Sequence, residues 1–400
     1  MHISARAFAA PCLLISSALL PCAALGQTAP AERMTPLLLA VNDAPVPFHA
    51  SDGRTHLVYE LAMTNFSSGN VAIQKLEILG DGAVLQTLDA AAVAQRLQPA
   101  GLRQSTPTLP KSTHALLFLN VAISPGAPIP HQLLHHIDIQ ASAAPPGQQN
   151  MSESGALTIV DQQTVAVIGP PLRGERYISA DSCCDAVRHT RAAMPIDGRA
   201  WIAQRYAVDW EQLNASGAIY SGPREKLESY AIFGQPALAV ADAAVASITD
   251  GAPEQTPGKY PTHISPVAAD GNSVILDLGQ SRYALYAHLQ PGSIRVHPGD
   301  RVKLGQVLGL VGDSGNSVVP HLHFQVTNGP SSMASNGLPY EIREFEVTGE
   351  VPGTTASDKT AAFDASETDG TPLAVTPVTP PRTIKDALPL DQSIISFKSE

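Results

Sequence analysis

The sequence predicts an all-β protein in which an N-terminal β-sandwich precedes a second β-sheet domain. Three observations support this fold class. The chain has 400 residues, more than one hydrophobic core usually serves. Its 34 prolines and 30 glycines, with only 15% charged residues, are typical of short strands joined by turns. Several segments alternate apolar and polar residues, as strands with one buried face do.

The first 26 residues read as a secretory signal peptide. A basic residue, Arg6, precedes an apolar stretch that runs to about Leu20, and the small residues Ala24 and Gly26 come just before Gln27. The apolar stretch is too short for a transmembrane span, and no other segment is long and apolar enough. We therefore expect an exported protein, periplasmic or extracellular, with no transmembrane segment.

Residues 35–167 are expected to form the β-sandwich, immunoglobulin-like in outline. The segment "THLVYELAMTN" alternates, and "HALLFLNVAI" and "LLHHIDIQAS" read as further strands. No catalytic grouping stands out here, so a spacer, an adhesive module or a cover is expected. The chain carries 25 Lys and Arg against 36 Asp and Glu, which gives no support to a nucleic-acid partner.

The remaining chain divides into a linker, a second β domain and a tail. The segment "VIGPPLRGERY" indicates a linker over residues 168–180, and strand-like runs extend over residues 181–349. Residues 350–400, with six prolines and eight threonines in the last fifty positions and little apolar periodicity, are predicted to be mostly disordered.

Cleavage of the signal peptide leaves only two cysteines, the adjacent Cys183 and Cys184. Adjacent cysteines can bond to each other only through a strained ring, so two thiols or one bond to a partner are expected. With His189 five residues beyond Cys184, a metal cluster is a less favoured alternative.

The stretch "VVPHLHFQV" places two histidines one residue apart in a strand-like run. Because side chains alternate along a strand, His321 and His323 share one face, with Cβ atoms roughly 7 Å apart. Such a pair suits a metal ion or a bound water, although two hydrogen-bonded histidines on a polar face would give the same pattern. His288 ends the strand-like run before this region.

The segments "YAHLQ", "GDRVKLGQVLGLVGDSGNS" and "PHLHF" together resemble the LytM/lysostaphin-type, or β-lytic, metallopeptidases, over roughly residues 200–345. The resemblance implies a barrel-like β-sheet core and cleavage of peptide cross-links in bacterial peptidoglycan. It also implies zinc, held by the His and Asp of a His-x-x-x-Asp element and by the second His of His-x-His, here His323. The other two histidines, His288 and His321, would flank the catalytic water.

The His-x-x-x-Asp element is degenerate in this chain. Its only match is "RYAVD", where Asp209 fits the aspartate and Arg205 stands at the histidine position. On a strand, Arg205 would share a face with Asp209, but a protonated guanidinium has no lone pair for a metal.

Three outcomes follow from this substitution. Arg205 could pair with Asp209 in a dead site, or zinc could bind weakly through Asp209 and His323 alone. Alternatively another histidine supplies the third ligand, with His189 the better candidate and His263 the poorer one.

Two functions are consistent with these residues. The first is a zinc metalloendopeptidase that acts on peptidoglycan peptides by zinc-activated water. The alternative is a catalytically inactive domain of the same type that binds wall peptide or regulates a partner wall hydrolase. A biotinyl or lipoyl carrier domain has a similar spacing of glycines, but Lys303 does not lie in the exposed turn that a carrier requires.

Overall fold

The computed structural model describes residues 34–102, 105–185 and 188–398. The predicted signal peptide, residues 1–26, lies outside the described residues. The chain divides into Met1–Thr35, of which only residues 34 and 35 are described, and Pro36–Glu400. None of the helices in the described part is both long enough and apolar enough to pass through a bilayer.

The first part of the larger unit consists of two five-stranded sheets. Their order is β1–β3–β8–β6, with β2 beside β3, and β10–β9–β4–β5, with β7 beside β4. The bounds are β1 (Leu37–Val41), β2 (Phe48–His49), β3 (Thr55–Asn65), β4 (Val71–Gly80), β5 (Ala83–Asp89), α1 (Ala90–Ala94), β6 (Leu97–Pro99), β7 (Thr108–Leu109), β8 (His114–Ile123), β9 (Gln132–Ala141) and β10 (Asn150–Ile159).

Alternation along these strands builds a shared core between the two sheets. Leu57, Tyr59 and Leu61 on β3 join Ile73 and Leu76 on β4 in one buried hydrophobic cluster. Each side chain is almost fully removed from water, which is the main favourable term in forming such a sandwich. The prediction of an all-β fold is confirmed, while the immunoglobulin-like outline stays a prediction.

An eleven-stranded sheet dominates the rest of the chain. Its bounds, with those of the smaller elements, are β11 (Ala166–Ile168), β12 (Gly174–Ala180), β13 (Met194–Ile196), β14 (Arg199–Trp201), β15 (Val208–Gln212), β16 (Pro236–Leu238), β17 (Ala243–Thr249), β18 (Asn272–Gly279), β19 (Arg282–Leu289), β20 (Arg301–Val302), β21 (Val307–Leu310), β22 (Leu322–Thr327), β23 (Tyr340–Glu350), α2 (Ala356–Asp369), β24 (Thr376–Ala387) and β25 (Ser393–Phe397). Three short 3₁₀ turns cover His189–Arg191, Leu227–Ser229 and Pro266–Ala268.

The order of this sheet brings the histidine-bearing strands together. It runs β11–β23–β25–β12–β15–β22–β19–β18–β17–β20, with β24 beside β23, and β13–β14 and β16–β21 are separate pairs. Strand β22 pairs antiparallel with β15 on one side and β19 on the other. In this register His323 lies directly opposite Asp209 on β15 and opposite Ala287 on β19.

The prediction of a disordered tail over residues 350–400 is wrong for the part that the structure describes. Helix α2 has a capping box between Thr355 and Asp358 and ends at Gly370, whose φ of 73° suits glycine. Strand β25 is inserted between β23 and β12. The proline-rich β24 pairs only with β23, and an edge strand tolerates proline because its outer N–H groups need no partner.

Two smaller predictions are also corrected. The linker expected over residues 168–180 contains strand β12, which pairs with β15 and β25. The cysteines are not free thiols and are not bonded to a partner: Cys183 and Cys184 form a disulfide with each other. Both side chains are buried, at 1% and 8% exposure, so a partner would not reach them.

We expect Phe397→Ala to lower the free energy of unfolding by about 3–5 kcal/mol, because it empties a filled core position. The Phe397 ring is 1% exposed and packs edge-on against Trp210 of β15 at 5.3 Å. Chemical denaturation measures the loss. The matched control is Phe66→Ala, which removes a ring that is 79% exposed. Equal stabilities of the two variants would contradict the role of β25 in the core.

Candidate metal centre

Three side chains from separate elements converge beside the middle of the large sheet. Asp209 comes from β15, His323 from β22 and His189 from the 3₁₀ turn that follows β12 in the chain. One ligand atom from each lies within 4.8 Å of the others. Among the described residues this is the one group of three or more His, Cys, Asp or Glu side chains so arranged.

Strand pairing sets the first contact of this group. Because His323 and Asp209 are directly opposite across the β15–β22 ladder, their side chains rise on the same face. His323 Nδ1 lies 2.8 Å from Asp209 Oδ1, and its Nε2 lies 2.9 Å from Gln325 Oε1. The Gln325 amide is itself oriented, since its Nε2–H donates to the Ser332 carbonyl at 3.0 Å.

His189 reaches the same carboxylate from the opposite side of the cluster. Its Nε2 lies 3.3 Å from Asp209 Oδ2, and its ring stands edge-on to that of His323 at 4.9 Å. The Nδ1–H donates to the Asp181 backbone carbonyl at 3.0 Å. That bond orients the ring so that its Nε2 faces Asp209.

The electrostatics of the cluster favour a cation. Burial alone would raise the pKa of Asp209, but His189 and His321 hold it well below its usual value. Burial lowers the pKa of His189, yet the Asp209 carboxylate outweighs that effect and raises it to about 9. Without a metal, the buried anion therefore keeps a proton on the His189 ring, as expected for a buried charge that needs a partner.

His288 and His321 lie beside this group, with ring centroids 4.6 Å apart. His288 Nδ1–H donates to the Ser314 carbonyl at 2.7 Å, and His321 Nδ1–H to the Val319 carbonyl at 2.8 Å. Each ring therefore keeps its Nε2 for other contacts, and His321 Nε2 lies 3.5 Å from Asp209 Oδ1. Burial lowers the pKa of both rings, so both are neutral at neutral pH.

The backbone at His288 is unusual. Its φ of 62° lies in the left-handed region, which a residue with a Cβ adopts rarely and at a cost of about 1–3 kcal/mol. The adjoining loop is held close by glycines: a Cβ at Gly315 would lie 2.3 Å from the Gly271 nitrogen. This close packing positions the Ser314 carbonyl that orients the His288 ring.

Arg205 does not face Asp209, which corrects the expectation from strand alternation. Strand β15 begins at Val208, and Arg205 lies in the turn before it, so alternation does not extend to this residue. Its Nε and Nη2 donate to the two carboxylate oxygens of Glu60, at 2.8 and 2.7 Å. Arg205 therefore connects the metal-site strand to β3 of the sandwich.

His263, the other histidine considered as a third ligand, is exposed and is not among the residues that line the groove around the centre. The groove has a volume of about 530 Å³. Its wall includes Gln98, Gly101 and Leu102 of the sandwich and Phe363 of α2. The N-terminal domain thus forms part of the wall beside the candidate centre.

Sequence reasoning missed four acidic residues in this groove: Asp181, Glu211, Asp270 and Glu367. Burial and then the nearby Glu367 carboxylate raise the pKa of Glu211 well above its usual value, and burial raises that of Glu367 to about 7. Glu211 shares the face of Asp209 on β15 and could have been found by alternation. Glu367 gave no such signal, because its segment read as disordered.

The donor set fits a zinc ion. Zinc prefers imidazole nitrogen and carboxylate oxygen ligands, and catalytic sites use three of them. Because a carboxylate only accepts, His323 Nδ1–H and His189 Nε2–H donate to Asp209, and a bound ion would take the place of these two protons. The contacts of His323 Nε2 with Gln325 and of His189 Nδ1 with the Asp181 carbonyl would then hold each ring in the tautomer that metal binding requires.

We expect the purified protein to bind about one zinc per chain and to lose it on His189→Ala, Asp209→Ala or His323→Ala, because two remaining ligands hold zinc poorly. Elemental analysis after dialysis measures the metal. The matched control is His297→Ala, which removes a histidine whose side chain is 84% exposed. Full zinc retention in His189→Ala would exclude His189 as the third ligand.

We expect Arg205→Ala to lower the free energy of unfolding by about 3–5 kcal/mol, because the Glu60 carboxylate is left buried and unpaired. We expect Arg205→His to bring no gain in bound zinc, since the side chain points at Glu60. Denaturation and elemental analysis measure the two effects. The control is Arg295→Ala, which removes an exposed arginine. A rise in zinc content in Arg205→His would place this position at the metal after all.

Comparison with known proteins is consistent with this geometry. Residues 229–335 match the model of peptidase family M23, a range that contains His288, His321 and His323 but neither Asp209 nor His189. The glycyl-glycine endopeptidase ALE-1 of Staphylococcus capitis is 46% identical over 57 residues, 14% of this chain and 15% of that protein. Lysostaphin of Staphylococcus simulans is 33% identical over 94 residues, 19% of each chain.

Solved structures of similar proteins include the catalytic domain of lysostaphin from Staphylococcus simulans, at 20% identity and a TM-score of 0.21, covering 40% of this chain and 88% of that one. A zinc-containing peptidase from Vibrio cholerae has 16% identity and a TM-score of 0.23, covering 74% and 83%. The chain spans less than a fifth of the length of the curated relatives that it matches. The similarity to peptidase family M23 is thus carried by the segment at residues 229–335, about a quarter of the chain.

Proposed function

We propose that this protein is an exported zinc metallopeptidase that cleaves peptide cross-links of peptidoglycan, with His189 in place of the missing first ligand. The observation that carries the proposal is the position of His189 Nε2, 3.3 Å from Asp209 Oδ2 and on the same cluster as His323. The family match supports the peptidase class. The amino-terminal signal pattern supports export to the compartment where the wall lies.

The geometry favours His189 as the third ligand over the two other outcomes of having Arg205 at the histidine position, a dead site and a weak two-ligand site. A dead site would need the guanidinium in the cation position, whereas Arg205 is engaged with Glu60. A weak two-ligand site would leave Asp209 and His323 alone, whereas His189 completes a set of three. The ring nitrogens that face away from Asp209 also make hydrogen bonds: His189 Nδ1 with the Asp181 carbonyl and His323 Nε2 with Gln325 Oε1. Such bonds are typical of a preorganised metal site.

The reaction is divided among the residues by their charge and position. A zinc ion held by His189, Asp209 and His323 would supply Lewis acidity to polarise a peptide carbonyl and activate water. His321 accepts the proton of the attacking water, since it is neutral and its protonated form would lie 3.5 Å from the Asp209 carboxylate. The same proton then passes to the leaving amine.

His288 has the second role in the groove. Its ring is tied to the Ser314 carbonyl through Nδ1, and its pKa is lowered first by burial and then by the neighbouring His321 and His323 rings. It therefore stays neutral while His321 carries the proton. Its Nε2 is left to orient the water and the reacting carbonyl group beside His321.

We expect the zinc-loaded protein to release soluble peptides from purified peptidoglycan and His321→Ala to lower kcat/KM by about 10²–10⁴, the usual contribution of a proton-transferring group. His288→Ala is expected to lower it in the same direction. Soluble amine release and mass spectrometry of the products measure the reaction. His297→Ala serves as the control for removal of an exposed imidazole.

Binding to peptidoglycan without any release of peptides, in protein shown to contain zinc, would contradict the peptidase proposal. It would favour the alternative function, a domain that holds wall peptide or regulates a partner wall hydrolase. Equal activity of wild type and His321→Ala would contradict the assignment of His321 as the proton acceptor while leaving the peptidase class intact.

A further inference from the structure

We propose that Glu211 and Glu367 form a subsite for a primary ammonium group on the substrate peptide, next to the metal centre. The inference rests on the proposed peptidase function and adds a recognition element to it. It would make the protein prefer peptides that carry a free amine close to the cleaved bond.

Glu211 lies at the base of the groove. It follows Asp209 by two residues on β15, so both side chains leave the same face of the strand and both line the groove. Glu211 is 3% exposed, and its Oε2 has no hydrogen-bond partner among the described residues. A buried carboxylate oxygen without a partner is costly, which points to a ligand that the groove receives from outside.

Glu367 faces this position from α2. It lies in the last turn of the helix, lines the same groove and interacts electrostatically with Glu211. The helix is held against the metal-site loop by Arg188, whose Nη1 donates to Asp181 Oδ2 at 2.8 Å and whose Nη2 donates to Asp364. Phe363, 1% exposed, anchors the same helix in a core cluster.

The charges in the groove leave these two carboxylates uncompensated. Asp209 is committed to the metal group, Asp181 is paired with Arg188 through one oxygen, and Asp270 is hydrogen-bonded with Ser332. Arg188 and Arg224 act on Glu367 only through their electric field, since no hydrogen bond joins either of them to it within the described part of the chain. Two acidic side chains therefore face one cavity without a hydrogen-bonded cation.

An ammonium group fits these carboxylates better than a second metal ion does. The described residues contain no further set of three acidic, histidine or cysteine donors within 4.8 Å, so Glu211 and Glu367 lack the convergence that an ion needs. An ammonium carries three N–H donors that can point to separate carboxylates. A guanidinium, by contrast, prefers the two oxygens of a single carboxylate in one plane.

The position of Glu211 also determines how far the bound ammonium group would lie from the peptide bond that is cleaved. Residues i and i+2 on a strand are roughly 7 Å apart, which is about the length of two residues of an extended peptide. An amine bound at Glu211 and Glu367 would therefore belong to a residue at, or next to, the cleaved bond.

The test compares soluble cross-linked wall peptides that carry a free amine with the same peptides after acetylation. We expect the zinc-loaded full-length protein to cleave the amine form with kcat/KM at least about ten-fold higher, because acetylation removes a charge-assisted contact. In Glu367→Gln this preference is expected to fall to about two-fold or less. The matched control is Glu225→Gln, an exposed glutamate that does not line the groove and whose variant is expected to keep the full preference.

Binding of the same two peptides to metal-free protein, by isothermal titration calorimetry, separates this proposal from the peptidase function. If neither peptide is cleaved but the amine form binds about ten-fold more tightly, the subsite stands and the peptidase function fails. If both peptides are cleaved equally and bound equally, the peptidase function stands and the subsite is excluded. A preference that survives in Glu367→Gln also excludes the subsite.

Discussion

The Asp209 carboxylate is the constraint on which the rest of the centre depends. It is a buried anion on the central sheet, and a buried charge is tolerated only when it is paired. Three imidazoles surround it, two of them within 3.3 Å and His321 at 3.5 Å. A dication bound among them would displace the proton from His189 and leave every ring neutral, which is the state that both ligation and proton transfer require.

Arg205 has a structural role that the His-x-x-x-Asp pattern at residues 205–209 does not indicate. At the histidine position of the His-x-x-x-Asp pattern, Arg205 instead makes a bidentate, buried ion pair with Glu60, which joins the turn before β15 to β3 of the sandwich. The loop that carries His189 is fastened by Arg188 to Asp364 of α2.

Strand alternation predicted from the sequence that His321 and His323 share a face. The choice of Asp209, and the roles of all three residues, came from the resemblance of the local motifs to the LytM/lysostaphin-type metallopeptidases. Arg205 was misjudged because the strand was extended past its true start at Val208, and its partner lies 145 residues away. The ordered tail was missed because its prolines lie on an edge strand, where composition resembles that of disorder. Glu367, carried by that tail, went unseen for the same reason.

The insertion of β25 between β23 and β12 has a consequence for when the centre is completed. A ribosome produces the chain from its amino end, so every ligand has emerged well before residues 393–397. Yet β12, which supports the Asp209 strand, has no neighbour on its other side until β25 arrives. The strand that carries Asp209 therefore gains its full lateral support only when β25 has joined the sheet beside β12.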